Sequence, residues 1–188
     1  TNGGGSYGGM GTGALSGNNY LPRGSITNPV DFGGKGQSNS SSNPLKGGGV
    51  IKMTVSGTLT VNGTVSSNGA TNANSQVGGG SGGTVNLTLG TLTGTGTITV
   101  DGGAGNGGSS GGGGGGGRIA VRYSTDNFTP YNGGSGTFTA YGAIEASAST
   151  YGAAGTIYME DTDVDTSNQG TLYVDGGNRA RPSVSFYA

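Results

Sequence analysis

The stretch "GTLTVNGTVSSNG", residues 57–69, predicts two short β-strands joined by a turn. Its β-branched residues alternate with polar ones, a pattern that favours extended structure with one buried face. The same phrase returns in three later places: "GTLTGTGTITVDGG" at 90–103, "GTFTAYGA" at 136–143 and "GTLYVDGG" at 170–177. A chain that repeats one phrase four times is built of repeated structural units.

A second landmark gives the length of the unit. An alternating strand begins after each of four glycines, which lie 34, 34 and 38 residues apart: Gly49, Gly83, Gly117 and Gly155. A period near 34 residues predicts stacked units that bury a common core. Within one unit, Val85, Leu87 and Leu89 share the face that we expect to be buried, and the polar residues between them share a wet face.

Two all-β architectures compete for this pattern. The periodicity favours a glycine-rich β-solenoid, or parallel β-helix, of about four units of ~34 residues. The Asn62-Gly63 pair between two alternating runs favours an antiparallel β-sandwich built of hairpins. We expect the solenoid. The predicted organisation is a single all-β domain over 1–188, with a glycine-rich segment at 1–48 that contains a degenerate repeat, repeats at 49–177 and a strand-like tail at 178–188.

Glycine makes up 47 of the 188 residues and is concentrated between the predicted strands, at 77–83, 102–117 and 151–155. Such runs are typical of flexible linkers. They also occur where chains approach too closely for any Cβ, as in polyglycine II-like packing. Because each run ends in the same strand start, we expect ordered glycine turns.

Composition excludes several classes of function. The chain has no Cys and no His, so disulfides, Cys/His zinc sites and catalysis by either residue are ruled out. The net charge of −1 and the lack of a basic run argue against a nucleic-acid partner. No stretch approaches the roughly 20 apolar residues of a membrane-spanning helix. We therefore expect a protein that is not an enzyme and does not span a membrane.

The densest acidic stretch, "EDTDVDTSNQG" at 160–170, is the one candidate metal site. Its spaced carboxylates could bind Ca²⁺, which prefers several oxygen ligands; the candidate ligands are Glu160, Asp161, Asp163 and Asp165. The EF-hand pattern fails, because Thr166 and Leu172 stand where that loop needs Gly and Glu. A solvated turn is the alternative, and no other cofactor is expected.

Other polar patterns carry further expectations. Arg118 and Arg122 should share the outer face of one strand and form a surface ion-pair set with Asp126. The nine tyrosines either cover the thin core or present a surface for glycans. Four Asn-x-Ser/Thr sequons give candidate glycosylation sites: Asn39, Asn62, Asn86 and Asn127. Regularly spaced outward threonines suggest ice binding as a lesser alternative, at Thr58, Thr60, Thr91, Thr93, Thr97 and Thr99.

The order of these motifs resembles glycine-rich repeat regions of large secreted microbial surface proteins, which look like adhesin-type parallel β-helices. The resemblance covers most of residues 3–177, and "GGGGGGGRIAVRY" at 111–123 is its most specific part. It implies a location at the cell surface or outside the cell and a structural or adhesive role, with no catalytic motif to transfer. Such regions are usually embedded in longer proteins, so a free-standing stack would have two open ends.

The tail "RPSVSFYA", residues 181–188, bears on how such ends behave. It either closes its own sheet or is donated as a strand to a neighbouring subunit. The candidate assembly residues are Arg179, Arg181, Val184, Phe186, Tyr187 and Ala188. We expect an extracellular structural subunit that forms a homopolymer, a filament or surface layer, through strand-edge contacts. The alternative function is an adhesin-type binding module for glycans or surfaces.

Overall fold

The computed structural model describes residues 2–13, 21–38, 45–71, 77–105, 111–130, 133–144, 151–163 and 170–177, and the strand backbone of 184–187. These residues form an all-β protein and contain no α-helix. The strands are β1 (Val50–Thr60), β2 (Thr64–Ser66), β3 (Thr84–Thr93), β4 (Thr97–Thr99), β5 (Arg118–Asn127), β6 (Thr137–Thr139), β7 (Thr156–Asp161), β8 (Thr171–Val174) and β9 (Val184–Tyr187). A large sheet has the order β1-β3-β5-β7-β8-β9, and a small sheet has the order β2-β4-β6.

The repeated phrases pair like with like. The strands β1, β3, β5 and β7 run parallel, and the residues that follow the four landmark glycines lie in one row across them: Val50, Thr84, Arg118 and Thr156. The short strands β2, β4 and β6 are also parallel and in register. Parallel sheets of equivalent segments confirm the all-β expectation and the alignment of the units.

The antiparallel alternative fails at the turn that suggested it. The strands on either side of Asn62-Gly63 do not pair with each other, because β1 pairs with β3 and β2 pairs with β4. The turn therefore carries the chain from the large sheet to the small one. An Asn-Gly pair favours tight turns in general, and here the stacking of equivalent strands determines the partners.

The last repeated phrase departs from the other three. Its strand β8 pairs antiparallel with β7 in the large sheet, whereas β2, β4 and β6 form the small sheet. The cause lies in β7, which ends at Asp161 after six residues. The Asp161 carboxylate there accepts the N–H of Asp163 at 3.0 Å, a local bond typical of a turn. Among the described residues, the small sheet consequently has no strand beyond β6.

The core lies between the two sheets and consists of inward side chains in rows. One row joins Ile51, Val85, Ile119 and Ile157, and the next joins Met53, Leu87, Val121 and Met159. The small sheet contributes Ile98, which is fully buried, and Phe138, whose ring meets that of Phe128 edge-on at 5.2 Å. Each fully buried aliphatic side chain stabilises the fold by about 1.5–3 kcal/mol.

The glycine runs form a second, separate kind of core. The run 78–83 is extended, and its N–H groups point to three different neighbouring segments in turn, with a period of three residues. In chain order the acceptors are the carbonyls of Gln37, Gly112, Ala70, Gly34, Gly115 and Ser67, at 2.8–3.1 Å. A period of three is that of the polyproline II helix, which has no internal hydrogen bonds.

The carbonyls of the same run serve three further neighbours. Those of Gly79, Gly80 and Ser81 accept N–H groups from Gly5, Gly103 and Gly48 respectively. The run 78–83 is thus surrounded by six segments, as in polyglycine II. The packing is so close that a Cβ on Gly79 would lie 1.8 Å from the Gly103 carbonyl oxygen. Where the structure describes them, the expected glycine turns are therefore extended segments. Main-chain hydrogen bonds to the surrounding segments hold them in place, since glycine has no side chain to pack.

An N-terminal segment, residues 21–32, crosses the outer face of the large sheet; we call it the strap. It accepts hydrogen bonds from outward side chains of β3 and β5: Thr84 donates to Asp31, Asn86 to Pro29, Arg118 to Arg23 and Arg122 to Thr27, all at main-chain oxygens. Thr84, Asn86 and Arg118 are consequently buried. The expected wet face is wrong at these positions, since the strap replaces water as their partner.

Candidate functional site

Arg118 anchors the strap and is not the surface residue that the sequence suggested. Its guanidinium donates to the Arg23 carbonyl and to the Thr156 hydroxyl, both at 3.0 Å, and lies 5.6 Å from the centre of the Tyr7 ring. The Tyr7 hydroxyl is bonded in turn to Thr84 at 2.8 Å. Burial lowers the pKa of Arg118, and the nearby Tyr7 and Asp31 partly oppose that shift. The cluster holds the strap in place.

The acidic stretch divides into residues with different roles. Glu160 is buried and accepts an ion-pair hydrogen bond from Arg122 Nε at 2.8 Å and a bond from the Tyr158 hydroxyl at 3.2 Å. Asp161 is half-buried and Asp163 is exposed. Asp165 lies outside the described residues, within which no three acidic side chains converge on a metal position. The calcium site stays a prediction.

The C-terminal segment forms a strand within its own chain. β9 pairs antiparallel with β8, with Val184 opposite Val174 and Phe186 opposite Leu172. Arg179, Arg181 and Ala188 lie outside the described residues. This pairing is the self-closing arrangement of the two that the sequence allowed, and donation of the strand to a neighbour stays a prediction.

The candidate glycosylation sites differ in exposure. Asn62 and Asn127 are exposed, whereas Asn86 is buried under the strap. The Asn86 amide nitrogen, which a glycan would have to modify, donates to the Asn28 side chain at 3.0 Å and to the Pro29 carbonyl. Asn39 lies outside the described residues. The folded chain therefore presents Asn62 and Asn127 as acceptors.

Outward threonines form two in-register arrays. On the small sheet, Thr64, Thr97 and Thr137 lie in one row. On the far half of the large sheet, Thr58, Thr91 and Thr125 lie in another. Rows on neighbouring parallel strands repeat every 4.7–4.9 Å.

One end of the strand stack is an open edge. Among the described residues, no strand pairs with the outer side of β1, which is 11 residues long. The Gly49 carbonyl accepts from the Thr84 N–H, so the main-chain groups of Gly49 face β3. Alternate residues of a strand face the same neighbour, so the main-chain groups of Ile51 and Met53 also bond to β3. The main-chain groups of Lys52 and Thr54 then point to the open side. At this end the core is also incompletely covered, because five of its apolar side chains are only partly buried: Ile51, Met53, Val55, Leu59 and Val65.

The opposite end carries a cleft of about 510 Å³. It exists because the small sheet stops at β6 while the large sheet continues through β7 and β8. Its apolar floor includes Ile157 and Met159. Three tyrosines and two aspartates also line it: Tyr123, Tyr141, Tyr173, Asp126 and Asp175. No lysine or arginine is among its lining residues within the described chain.

The electrostatic potential in this cleft is negative, because two aspartates and no lysine or arginine are among the described residues that line it. Burial raises the pKa of Tyr123 to about 12, and the carboxylates of Asp126 and Asp161 add to the effect. Asp126 is itself buried and accepts hydrogen bonds from the N–H groups of Phe128 and Thr129 and from the Thr129 hydroxyl. Tyr123 therefore keeps its proton at neutral pH and remains a hydrogen-bond donor.

Charge is distributed unequally between the two ends. The chain has three lysines, and all three are exposed near β1: Lys35, Lys46 and Lys52. Lys46 immediately precedes the Gly47–Gly49 run. Lys35 lies on a neighbouring segment, which is joined to that run by a hydrogen bond from the Gly33 N–H to the Gly48 carbonyl. Four aspartates lie at the cleft end: Asp126, Asp161, Asp163 and Asp175. Among the described residues, exposed lysines thus lie near β1 and aspartates lie near the cleft.

Sequence reasoning missed the cleft, although one signal for it exists. Tyr123 occupies the row position that Val55 and Leu89 hold in the two preceding units. A tyrosine in place of an aliphatic residue marks a core position whose hydroxyl must reach water or a polar partner. The position of β6 relative to β7, which opens the cleft, has no such signal in the sequence.

Within the described residues no helix is long and apolar enough to span a membrane. Comparisons with protein-family models, with curated proteins and with solved structures find no match for this chain.

Proposed function

We propose that the protein is an extracellular structural subunit, a β-solenoid of ~34-residue units that self-assembles through its strand edges into a filament or surface layer. The open edge of β1 is the observation that carries this proposal. Exposed long edge strands are templates for pairing with another chain, and proteins that stay monomeric usually cover, shorten or charge them. Here an 11-residue edge carries one charged side chain, Lys52, and partly exposed core residues behind it.

The parallel, in-register stack supports the solenoid part of the proposal. Each of the first three units adds one strand to the large sheet and one to the small sheet, so neighbouring units are related by a translation along the stack. Such an arrangement has two unlike ends. Natural solenoids cover their ends with polar caps, whereas β1 and β2 present apolar side chains.

A proline substitution tests the role of the β1 edge. The main-chain N–H of Thr54 points to the open side, so Thr54→Pro removes a donor from the edge without removing a bond of the β1–β3 ladder. Thr54→Val is the matched control, since it keeps the N–H and the shape of the side chain. Assembly is measured by sedimentation velocity and negative-stain electron microscopy.

We expect the wild type and Thr54→Val to form large species, and Thr54→Pro to remain small with an unchanged far-UV circular dichroism spectrum. Assembly of Thr54→Pro to the wild-type extent would show that the β1 edge is not used. A wild type that stays monomeric up to high concentration would refute self-assembly altogether.

A second candidate function is a glycan-binding module, favoured by the three tyrosines that line the cleft. Aromatic faces with nearby hydroxyl and carboxylate groups suit neutral saccharides. Binding of a panel of oligosaccharides, followed through tyrosine fluorescence, tests it. The in-register threonine rows favour ice binding to a lesser degree, which a thermal hysteresis assay tests directly.

A further inference from the structure

We propose that the acidic, tyrosine-lined cleft end of one copy binds the lysine-bearing β1 end of a second copy, so that subunits associate head to tail. This inference rests on the proposed self-assembly and names the surface that receives the β1 end. Two observations carry it: the core is incompletely covered at each end, and the described charged residues are lysines near β1 and aspartates near the cleft.

Each end leaves part of the core incompletely covered. At the β1 end, the partly buried side chains include Ile51, Met53 and Val65. At the cleft end, the partly buried core side chains are Tyr123, Phe138 and Tyr173, which line the cleft. They lie beside Ile157 and Met159, which are themselves buried. Contact between the ends would remove apolar surface of both copies from water, which favours association in proportion to the apolar area buried.

Charge determines which ends meet. Two like ends would bring lysine toward lysine or aspartate toward aspartate, whereas unlike ends bring Lys46 and Lys52 toward Asp163 and Asp175, and all four are exposed. A lysine side chain also suits a site lined by tyrosine rings, through cation–π attraction. Because each copy uses two different surfaces, the contact is heterologous, and it builds an open filament when the rotation between copies does not close a ring.

The antiparallel end of the large sheet limits how this contact can form. β8 already pairs with the edge of β7, so a second copy cannot simply continue the parallel ladder from β7. On the small sheet, the Thr137 N–H donates to the Gly96 carbonyl and the Thr139 carbonyl accepts from the Val100 N–H, at the two ends of β4. No described strand lies beyond β6. The incoming copy therefore meets a cleft whose β7 wall is covered, and among the described strands the edges open to its β1 end are the outer sides of β6 and β9.

Charge reversal at each end, alone and together, tests the inference. A head variant carries Lys46→Glu and Lys52→Glu, and a tail variant carries Asp163→Lys and Asp175→Lys. A third chain carries all four substitutions, which exchanges the signs of the two ends and restores their complementarity. Asp163→Asn with Asp175→Asn is the control that keeps side-chain hydrogen-bond acceptors, including the one for the Gly177 N–H. Unfolding midpoints verify that each variant is folded.

We expect each single-end variant to raise the dissociation constant of association by about tenfold or more at low salt, on the scale of two exposed ion pairs. An equimolar mixture of the head and tail variants, and the four-substitution chain, should recover association. Wild-type association that neither single-end variant weakens would overturn this inference while leaving self-assembly standing. If the variants assemble normally and oligosaccharides quench the cleft tyrosines, a saccharide occupies the cleft. A wild type that never associates would refute both proposals.

Discussion

A single methyl group in the glycine bundle should destabilise the whole fold. Gly79→Ala places a Cβ 1.8 Å from the carbonyl oxygen of Gly103, and ordinary contact begins near 3.4 Å. The two segments would have to separate by about 1.6 Å. The 2.8 Å bond from Gly103 to the Gly80 carbonyl would then exceed hydrogen-bonding distance, and the 2.9 Å bond from Gly79 to Gly112 would be strained as well.

The magnitude follows from those two bonds. A buried main-chain group left without its partner costs about 1–3 kcal/mol, so we expect a loss of roughly 2–6 kcal/mol in the free energy of unfolding. Typical domains have about 5–15 kcal/mol in total. The six neighbours of the run 78–83 leave it little room to move aside, since they donate to it or accept from it on every side.

Gly49→Ala is the matched control, because it adds the same methyl group where nothing lies within 4 Å. Gly49 is exposed and has no positive φ. Alanine there should be neutral or stabilising by up to about 1 kcal/mol, through the entropy of the unfolded chain. Urea unfolding followed by far-UV circular dichroism measures both variants. Equal stabilities of Gly79→Ala and Gly49→Ala would refute the close-packed bundle.

Three further predictions concern other parts of the molecule. Leu87→Ala, in the fully buried row between the sheets, should cost about 2–5 kcal/mol in urea unfolding; a cost below 1 kcal/mol would contradict the core assignment. Arg118→Met should lower stability by about 3 kcal/mol, since it leaves the Arg23 carbonyl and the Thr156 hydroxyl without their charged donor, and it should make the strap more sensitive to limited proteolysis, whereas Lys35→Met should do neither. The pKa of Tyr123 near 12 lies above the 10.0 of an ordinary tyrosine, so the folded state holds this proton more tightly. This group should therefore leave the free energy of unfolding unchanged below pH 10 and lower it between pH 10 and 12. In urea unfolding at a series of pH values, Tyr123→Phe should show a smaller decline over that range than the wild type.

Much of the large sheet could be predicted from the sequence. The spacing of Gly49, Gly83, Gly117 and Gly155 is the register of its four parallel strands, because equivalent residues of stacked units must pair. The alternation of Val85, Leu87 and Leu89 likewise identified the buried face. These features are local patterns that recur along the chain, so they can be recognised from the sequence alone.

Features that depend on contacts between distant segments could not be predicted in the same way. The strap covers Thr84 and Asn86, and no pattern in residues 21–32 predicts that this segment packs on the outer face of the large sheet. β8 has the repeated phrase but turns back beside β7, because the turn after Asp161 precedes it. Glycine carries no hydrophobic pattern, so the six-neighbour packing of the run 78–83 leaves no periodic signal to read.

The most direct test of the account is negative-stain electron microscopy of the purified chain at several concentrations, with and without a calcium chelator. We predict filaments or sheets that grow with concentration and have a regular subunit repeat. Loss of the assemblies on chelation would support a metal at 160–165 as well. Discrete particles of monomer size at every concentration, in both conditions, would contradict the structural role and favour a binding module.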